Sequence, residues 1–265
     1  MTFELVRLRF RFRALESKYF PPGKAGNVLR GAFGMMLLES APPPEFSGIF
    51  APRSAGGPSG LADAPRPFVF RASALDGQTC ALGQEFQFDA HLFDLKPALR
   101  NHFRSAFARL PWATLLSIDE EAVSLDLSAP AEPAHHVRVQ FLTPTELKGG
   151  GLPALPEFPV LFARLRDRIS TLRARYGPGP LDIDLRSIGE RAALVRLARC
   201  DLRATRVGRR SSRTGQTHPI GGFTGEVEYE GNLGEFLPYL RAGQWTGVGR
   251  QTPWGKGEIC FQVCS

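Results

Sequence analysis

Apolar and charged residues alternate strictly at the start of the chain. Between Thr2 and Arg13, Val6, Leu8, Phe10 and Phe12 point one way and Arg7, Arg9, Arg11 and Arg13 the other, the period-two pattern of a half-buried strand. Four like charges on one sheet face repel, so carboxylates on a neighbouring strand or a polyanion must offset them. Residues 16–26 hold Pro21, Pro22, Gly23 and Gly26 and read as a loop. Asn27 can cap the helix that follows, in which Val28, Leu29, Ala32, Phe33, Met36 and Leu37 recur at helical spacing until Pro42. Residues 41–67, rich in Pro, Gly, Ser and Ala, predict a long loop. Strands are predicted over 68–72 and 85–93; in the second, Phe86, Phe88, Ala90 and Leu92 alternate and turn His91 outward. A helix over 95–110 carries Leu99, Phe103, Ala106, Phe107 and Leu110 on one stripe, and 122–127 predicts a short strand. This β-α-β-β-α-β order is that of a ferredoxin-like domain.

Residues 128–134 (SAPAEPA) predict a linker, after which the pattern restarts. A strand over 136–142 precedes a long helix that opens near Pro159, with Leu161, Phe162, Leu165, Ile169, Leu172 and Tyr176 on its apolar stripe and Arg164, Arg166, Arg168, Arg173 and Arg175 on its wet sides. A second helix over 181–197, strands over 200–207 and 222–229, a short helix over 235–241 and a closing strand over 257–263 complete the half. Apart from one extra helix, the order repeats. The prediction is an α+β chain of two tandem ferredoxin-like (βαββαβ, RRM-like) domains, 1–134 and 135–265, with a glycine-rich loop in the second.

Composition adds a bias of charge. Of 265 residues, 33 are Lys or Arg against 26 Asp or Glu, a formal net charge of +7. Only Lys18, Lys24, Lys96, Lys148 and Lys256 are lysines. Arginine's planar fork suits phosphates and bases, although a G+C-rich genome also enriches Arg together with Gly and Pro. No apolar run approaches the roughly 20 residues needed to cross a bilayer. The N-terminal stretch is too charged for a secretory signal, so a cytoplasmic location is expected. Cys80, Cys200, Cys260 and Cys264 form no CxxC pair, which excludes the common zinc and thioredoxin patterns. No metal or cofactor is expected.

Two stretches could carry chemistry. Gly247-Val-Gly249-Arg250-Gln-Thr-Pro-Trp254-Gly255-Lys256-Gly257 reads GxG, five residues, GxG. Its glycines permit positive φ and close backbone approach, its amides could cradle phosphate, Arg250 and Lys256 add charge, and Trp254 could stack on a base. A tight structural turn before an edge strand is the plainer reading. The dinucleotide fingerprint fits poorly, because a strand follows rather than a helix. The second stretch, Arg196 to Arg213, holds Arg196, Arg199, Arg203, Arg206, Arg209, Arg210 and Arg213 against one acid, Asp201. It predicts a basic loop that a phosphate chain would order, or a solvated hairpin.

Taken together, His218-Pro-Ile-Gly-Gly-Phe-Thr-Gly-Glu-Val-Glu-Tyr-Glu-Gly231, Phe236-Leu-Pro-Tyr-Leu-Arg-Ala-Gly243 and the glycine-rich loop resemble the C-terminal half of the CRISPR-associated endoribonucleases that process CRISPR precursor RNA, members of the RAMP superfamily. Arg210-Ser-Ser-Arg213 and Gly26-Asn-Val-Leu-Arg-Gly-Ala-Phe-Gly34 fit the same family. The likeness is close over about 140–263 and thinner over 1–127. It implies repeat-RNA binding in a basic cleft and metal-independent cleavage, in which a 2′-hydroxyl attacks the adjacent phosphate to leave a 2′,3′-cyclic phosphate and a 5′-hydroxyl. CRISPR precursor RNA and other CRISPR-associated proteins are the implied partners, with a monomer or homodimer as the assembly.

The chain departs from the family in lacking any histidine before His91, where members often place a base near the first helix. His218 is then the best-placed base, and a structural role for it stays open. Some members use clustered Lys, Arg and Tyr, for which Tyr19, Lys24 and Arg30, or Arg209, Arg210 and Arg213, would serve. Residues 41–67 hold none of the cysteines that members often carry there. The RNA-binding set is Arg203, Arg206, Arg209, Arg210, Arg213, Gly247, Gly249, Arg250, Trp254, Gly255, Lys256 and Gly257. A non-catalytic RNA-binding subunit of a CRISPR effector complex is the alternative reading.

Overall fold

The computed structural model describes every residue except 53–63, 129–132, 148–154, 206–207, 211–216, 220–221 and 265, and only the backbone of 208–210 and 217–219. Its N-terminal half runs β1 (Thr2–Ala14), β2 (Lys18–Tyr19), α1 (Ala25–Ser40), α2 (Pro43–Phe50), β3 (Phe68–Arg71), β4 (Thr79–Cys80), β5 (Glu85–Leu92), α3 (Pro97–Phe107) and β6 (Ala113–Asp126). The C-terminal half runs β7 (His136–Thr145), α4 (Phe158–Tyr176), α5 (Leu185–Ala192), β8 (Arg196–Thr205), β9 (Gly208–Arg210), β10 (Thr217–Pro219), β11 (Gly222–Glu230), α6 (Leu237–Thr246) and β12 (Ile259–Val263). The main sheets are antiparallel, in the orders β3-β5-β1-β6 and β12-β7-β11-β8. Numbered within each half these are the same arrangement, so the chain is two ferredoxin-like domains in tandem.

The alternation of β1 decides how the halves meet. Val6, Leu8, Phe10 and Phe12 face α1 and α3 in a core rich in phenylalanine, where Phe33 stacks on Phe103 at 4.1 Å between ring centres. The opposite face begins with Phe3 and Leu5, buried in the core of the C-terminal half, and continues with the four arginines. Arg9 pairs with Asp89 through two bonds of 2.8 and 3.0 Å, Arg13 with Glu85 at 2.8 Å, Arg11 with Asp119 at 3.6 Å and Arg7 with Glu121. The strand is apolar where the other half covers it and ionic where water does, and the folded protein itself supplies the neutralising charge.

Several predicted boundaries change. Helix α1 begins two residues before Asn27, so Asn27 is not its cap; Asp76 Oδ1, from a distant turn, accepts the Ala25 amide at 2.8 Å. The prolines at 42–44 end α1, but they also start α2, because proline fits the first helical turn; the rest of the predicted loop lies largely outside the described residues. Strand β6 extends back to Ala113 through a run of acids and other exposed residues that obscured its alternation. The helix predicted over 181–197 is only α5, and Arg196 already belongs to β8. His91 faces outward from its own domain yet is buried, since the C-terminal half covers it. Arg173, expected on a wet side of α4, is also buried, donating Nε to the Gly179 carbonyl at 3.1 Å.

Candidate functional site

The glycine-rich loop leaves the C-terminus of α6 and returns into β12. Residues 247, 249, 251, 255 and 257 all have positive φ, and only Gln251 among them is not glycine. Gly257 (φ 67°) has no room for a side chain: a Cβ there would run into the Val248 carbonyl, while its own carbonyl accepts the Val248 amide at 2.9 Å and closes the loop. Gly255 meets Gly26 of α1 backbone to backbone, a Cβ on either lying 2.6–2.7 Å from the other's Cα. The loop of one domain is thereby seated on the first turn of the first helix of the other.

Side chains reinforce that seat. Lys256 is 2% exposed and donates Nζ to the Gly23 carbonyl at 2.7 Å. Burial pulls its pKa down to about 8, Asp76 opposing and Lys24 adding to the shift. Burial is likewise the main reason that Asp76 titrates above its ordinary value. The Arg30 guanidinium lies over the rings of Phe50 and Trp254, at 4.2 and 5.5 Å. Arg250 donates to the Glu146 carboxylate at 2.8 Å.

Among the residues singled out from the sequence, the fold therefore gathers Lys24, Arg30, Trp254, Gly255 and Lys256 at one junction. Within it Lys256 and Arg30 brace the protein, and Lys24, half-buried at the start of α1, retains partial access to solvent. Tyr19 is exposed on β2. Arg203 is exposed on β8, an edge strand of the second sheet. The ribbon β9–β10 places His218 opposite Arg209 and Thr217 opposite Arg210 in backbone register; the side chains of these residues, with Arg206 and Arg213, lie outside the described residues. His102 pairs with Glu45 at 2.7 Å and His136 with Glu228 at 3.1 Å. Among the described residues no cluster of His, Cys, Asp and Glu could hold a metal ion, and no helix is long and apolar enough to cross a membrane.

A second cluster, at the C-terminus of α6 just before Gly247, has no signal in the sequence. Carbonyls in the last turn of a helix have no intrahelical partner. Here Arg71 of β3 donates to the Gln244 and Trp245 carbonyls (3.3 and 2.9 Å), His91 Nδ1–H of β5 to Trp245 (2.9 Å) and Arg168 Nε of α4 to Thr246 (2.8 Å). Burial, and then the neighbouring Arg71, drives the His91 pKa down to about 3 and that of Arg168 to about 9. From pH 6.5 down towards 3 the unfolded chain takes up a proton at His91 that the folded chain refuses, so stability falls as acid is added across that window. His91→Asn, whose amide can still donate, should flatten the decline in thermal midpoint between pH 6.5 and 4; a decline as steep as in the parent would refute this role.

Residues 139–259, which include the whole glycine-rich loop, match the family model of the CRISPR-associated endoribonuclease Cas6. Over these residues the chain is similar to the Cas6 family. A second family model, described as an N-terminal domain, matches residues 3–111. No curated protein sequence matches the chain. Solved Cas6 structures share the fold along nearly the full length. Thermus thermophilus Cas6 aligns with a TM-score of 0.63 at 18% identity, covering 99% of each chain. A Cas6 product complex aligns with a TM-score of 0.60 at 18% identity, covering 98% of this chain and 100% of that one. A RAMP protein binding different RNA substrates aligns with a TM-score of 0.51 at 13% identity, covering 97% of this chain and 99% of that one. The half that matches the Cas6 model is thus the one that carries the loop, and its loop is seated on the other half.

Proposed function

We propose that the protein cuts CRISPR repeat RNA without a metal ion and so matures guide RNA. A base takes the proton from a 2′-hydroxyl, the 2′-oxygen bonds to the adjacent phosphorus, and the bond to the 5′-oxygen breaks. An acid then returns a proton to that leaving oxygen, giving a 2′,3′-cyclic phosphate and a 5′-hydroxyl. His218 serves as the base, Tyr19 on β2 and Lys24 at the start of α1 assist, and Arg203, Arg206, Arg209, Arg210 and Arg213 hold the phosphate chain beside the glycine-rich loop. The carrying observation is the seating of the loop that matches the Cas6 model on the first turn of α1, which brings Lys24 beside it. The RNA-bound structural relatives, a Cas6 product complex and a RAMP protein with different RNA substrates, support RNA as the ligand. We further propose domains of 1–134 and 135–265, and other CRISPR-associated proteins as partners of a monomer or homodimer.

A non-catalytic RNA-binding subunit is the second reading. It is favoured by three of the five histidines: His91 is buried and neutral, and His102 and His136 are each engaged with a carboxylate.

Incubation with CRISPR repeat RNA in EDTA separates the two. One cut with a cyclic phosphate end supports the enzyme, and tight binding without a cut supports the subunit. Loss of all activity on chelation, or cutting that survives a 2′-deoxy substitution at the scissile nucleotide, would refute the mechanism. Binding titrations in salt locate the grip. Arg210→Ala should flatten the slope of log K against log salt by about 0.7, one phosphate contact on a single strand. Arg11→Gln, on the neutralised face of β1, should leave it unchanged. The reverse ranking would move the RNA to the N-terminal sheet.

A further inference from the structure

We infer that Arg71 is a positioning residue for the glycine-rich loop: together with Ser73, it lets the N-terminal half hold both ends of a loop that belongs to the C-terminal half. Arg71 ends β3 and is buried. Its guanidinium spans two successive carbonyls, Gln244 and Trp245, where α6 runs into the loop. It also stands against Gly247, a Cβ on which would lie 3.1 Å from Nη2. Two residues further on, Ser73 Oγ donates to Glu258 Oε1 at 2.8 Å. Glu258 is the residue immediately after Gly257, and its amide is fixed in turn by Thr143 Oγ1 at 2.9 Å. A three-residue stretch of one domain therefore ties down both mouths of a loop in the other.

Directionality argues for this role. A buried guanidinium with no carboxylate bonded to it among the described residues is a costly way to fill an interface, and an apolar side chain packs such a site at lower cost. What an arginine adds is a rigid fork whose N–H groups reach two acceptors at once, here at the negative end of a helix. The loop needs such restraint. Glycine loses more backbone freedom on ordering than any other residue, and four glycines of this loop sit in left-handed conformations. Fixing both ends beforehand leaves less freedom to be lost when a ligand arrives.

The test uses the full chain with Arg71→Met, Arg71→Lys and Ser73→Ala, read by amide hydrogen exchange, thermal melting and binding to repeat RNA. Arg71→Met should raise exchange over 247–258 at least tenfold while the strands of both sheets keep their protection. Arg71→Lys, which can reach one carbonyl, should recover part of the loss. Ser73→Ala should raise exchange at the 256–258 end alone. The RNA arm rests on the function proposed above, and affinity there should fall in parallel with loop protection. Unchanged exchange over 247–258 in all three variants would overturn the inference. So would a rise spread evenly over the whole chain, the mark of a merely structural residue. Should the parent protein bind no repeat RNA, the functional reading fails while the exchange measurements still decide this one; Ser73→Ala and Arg71→Lys keep the test open if Arg71→Met does not fold.

Discussion

Gly257→Ala should lower the thermal midpoint by roughly 4–20 °C. A non-glycine residue in the left-handed region costs about 1–2 kcal/mol, and Gly257 has a φ of 67°. The added methyl runs into the Val248 carbonyl, and relieving such an overlap costs about 1–3 kcal/mol more. In a domain of this size each kcal/mol is worth about 2–4 °C. Relief requires the loop to open, which would break the Val248–Gly257 hydrogen bond and lift Gly255 from Gly26. RNA affinity should therefore fall with stability. Gly31→Ala is the matched control. Gly31 lies in α1 with nothing within 4 Å of the new methyl, so the gain in helix propensity, about 0.5–1 kcal/mol, should raise the midpoint slightly. Equal midpoints for the two variants would show that the loop's backbone conformation is not what glycine is there to permit.

Cleavage by His218→Ala should be slower by about a hundredfold or more, the loss expected on removing a general base. The pH–rate profile decides between this residue and its rival set. An imidazole base gives an acid limb near its ordinary pKa of about 6.5, and His218→Ala should abolish that limb. Tyr19→Phe combined with Lys24→Ala should weaken binding and slow the reaction but leave the limb in place. A near-parental rate for His218→Ala, with loss of activity in the Tyr19 and Lys24 variant, would transfer the base to the segment from β2 to the start of α1. The ribbon that carries His218 pairs it in backbone register with Arg209.

The architecture was legible because each half repeats the same sequence of periodicities. The alternation in β1 and the stripe in α3 both mark burial against a single core, and there the pattern is strong. It failed where burial comes from another part of the chain. Strand β6 runs through Asp119 and Glu121, which pair with arginines of β1 on one face, and Glu120, which pairs with arginines of α3 on the other, so its polar run looked unlike a strand. Helix α1 begins at Ala25 because Asp76, some fifty residues away, caps it. The glycine-rich loop could be named from the sequence, but its seat on the first helix and the tasks of Lys256 and Arg30 could not. Lys256 read as a phosphate-binding charge and Arg30 as part of a catalytic set, and both brace the junction because two domains close around them. The clamp of Arg71, His91 and Arg168 joins positions scattered over three elements, and no local spacing announces it.

The ladder of ion pairs along β1 changes what the net charge of +7 means. Four of the arginines are already matched by acids of the same sheet, so that face offers little to a passing polyelectrolyte. Adsorption to heparin, bulk nucleic acid or an anionic resin should accordingly be governed by the opposite end of the chain. A cell full of competing polymers would then meet one sticky side of this molecule rather than a uniformly cationic particle.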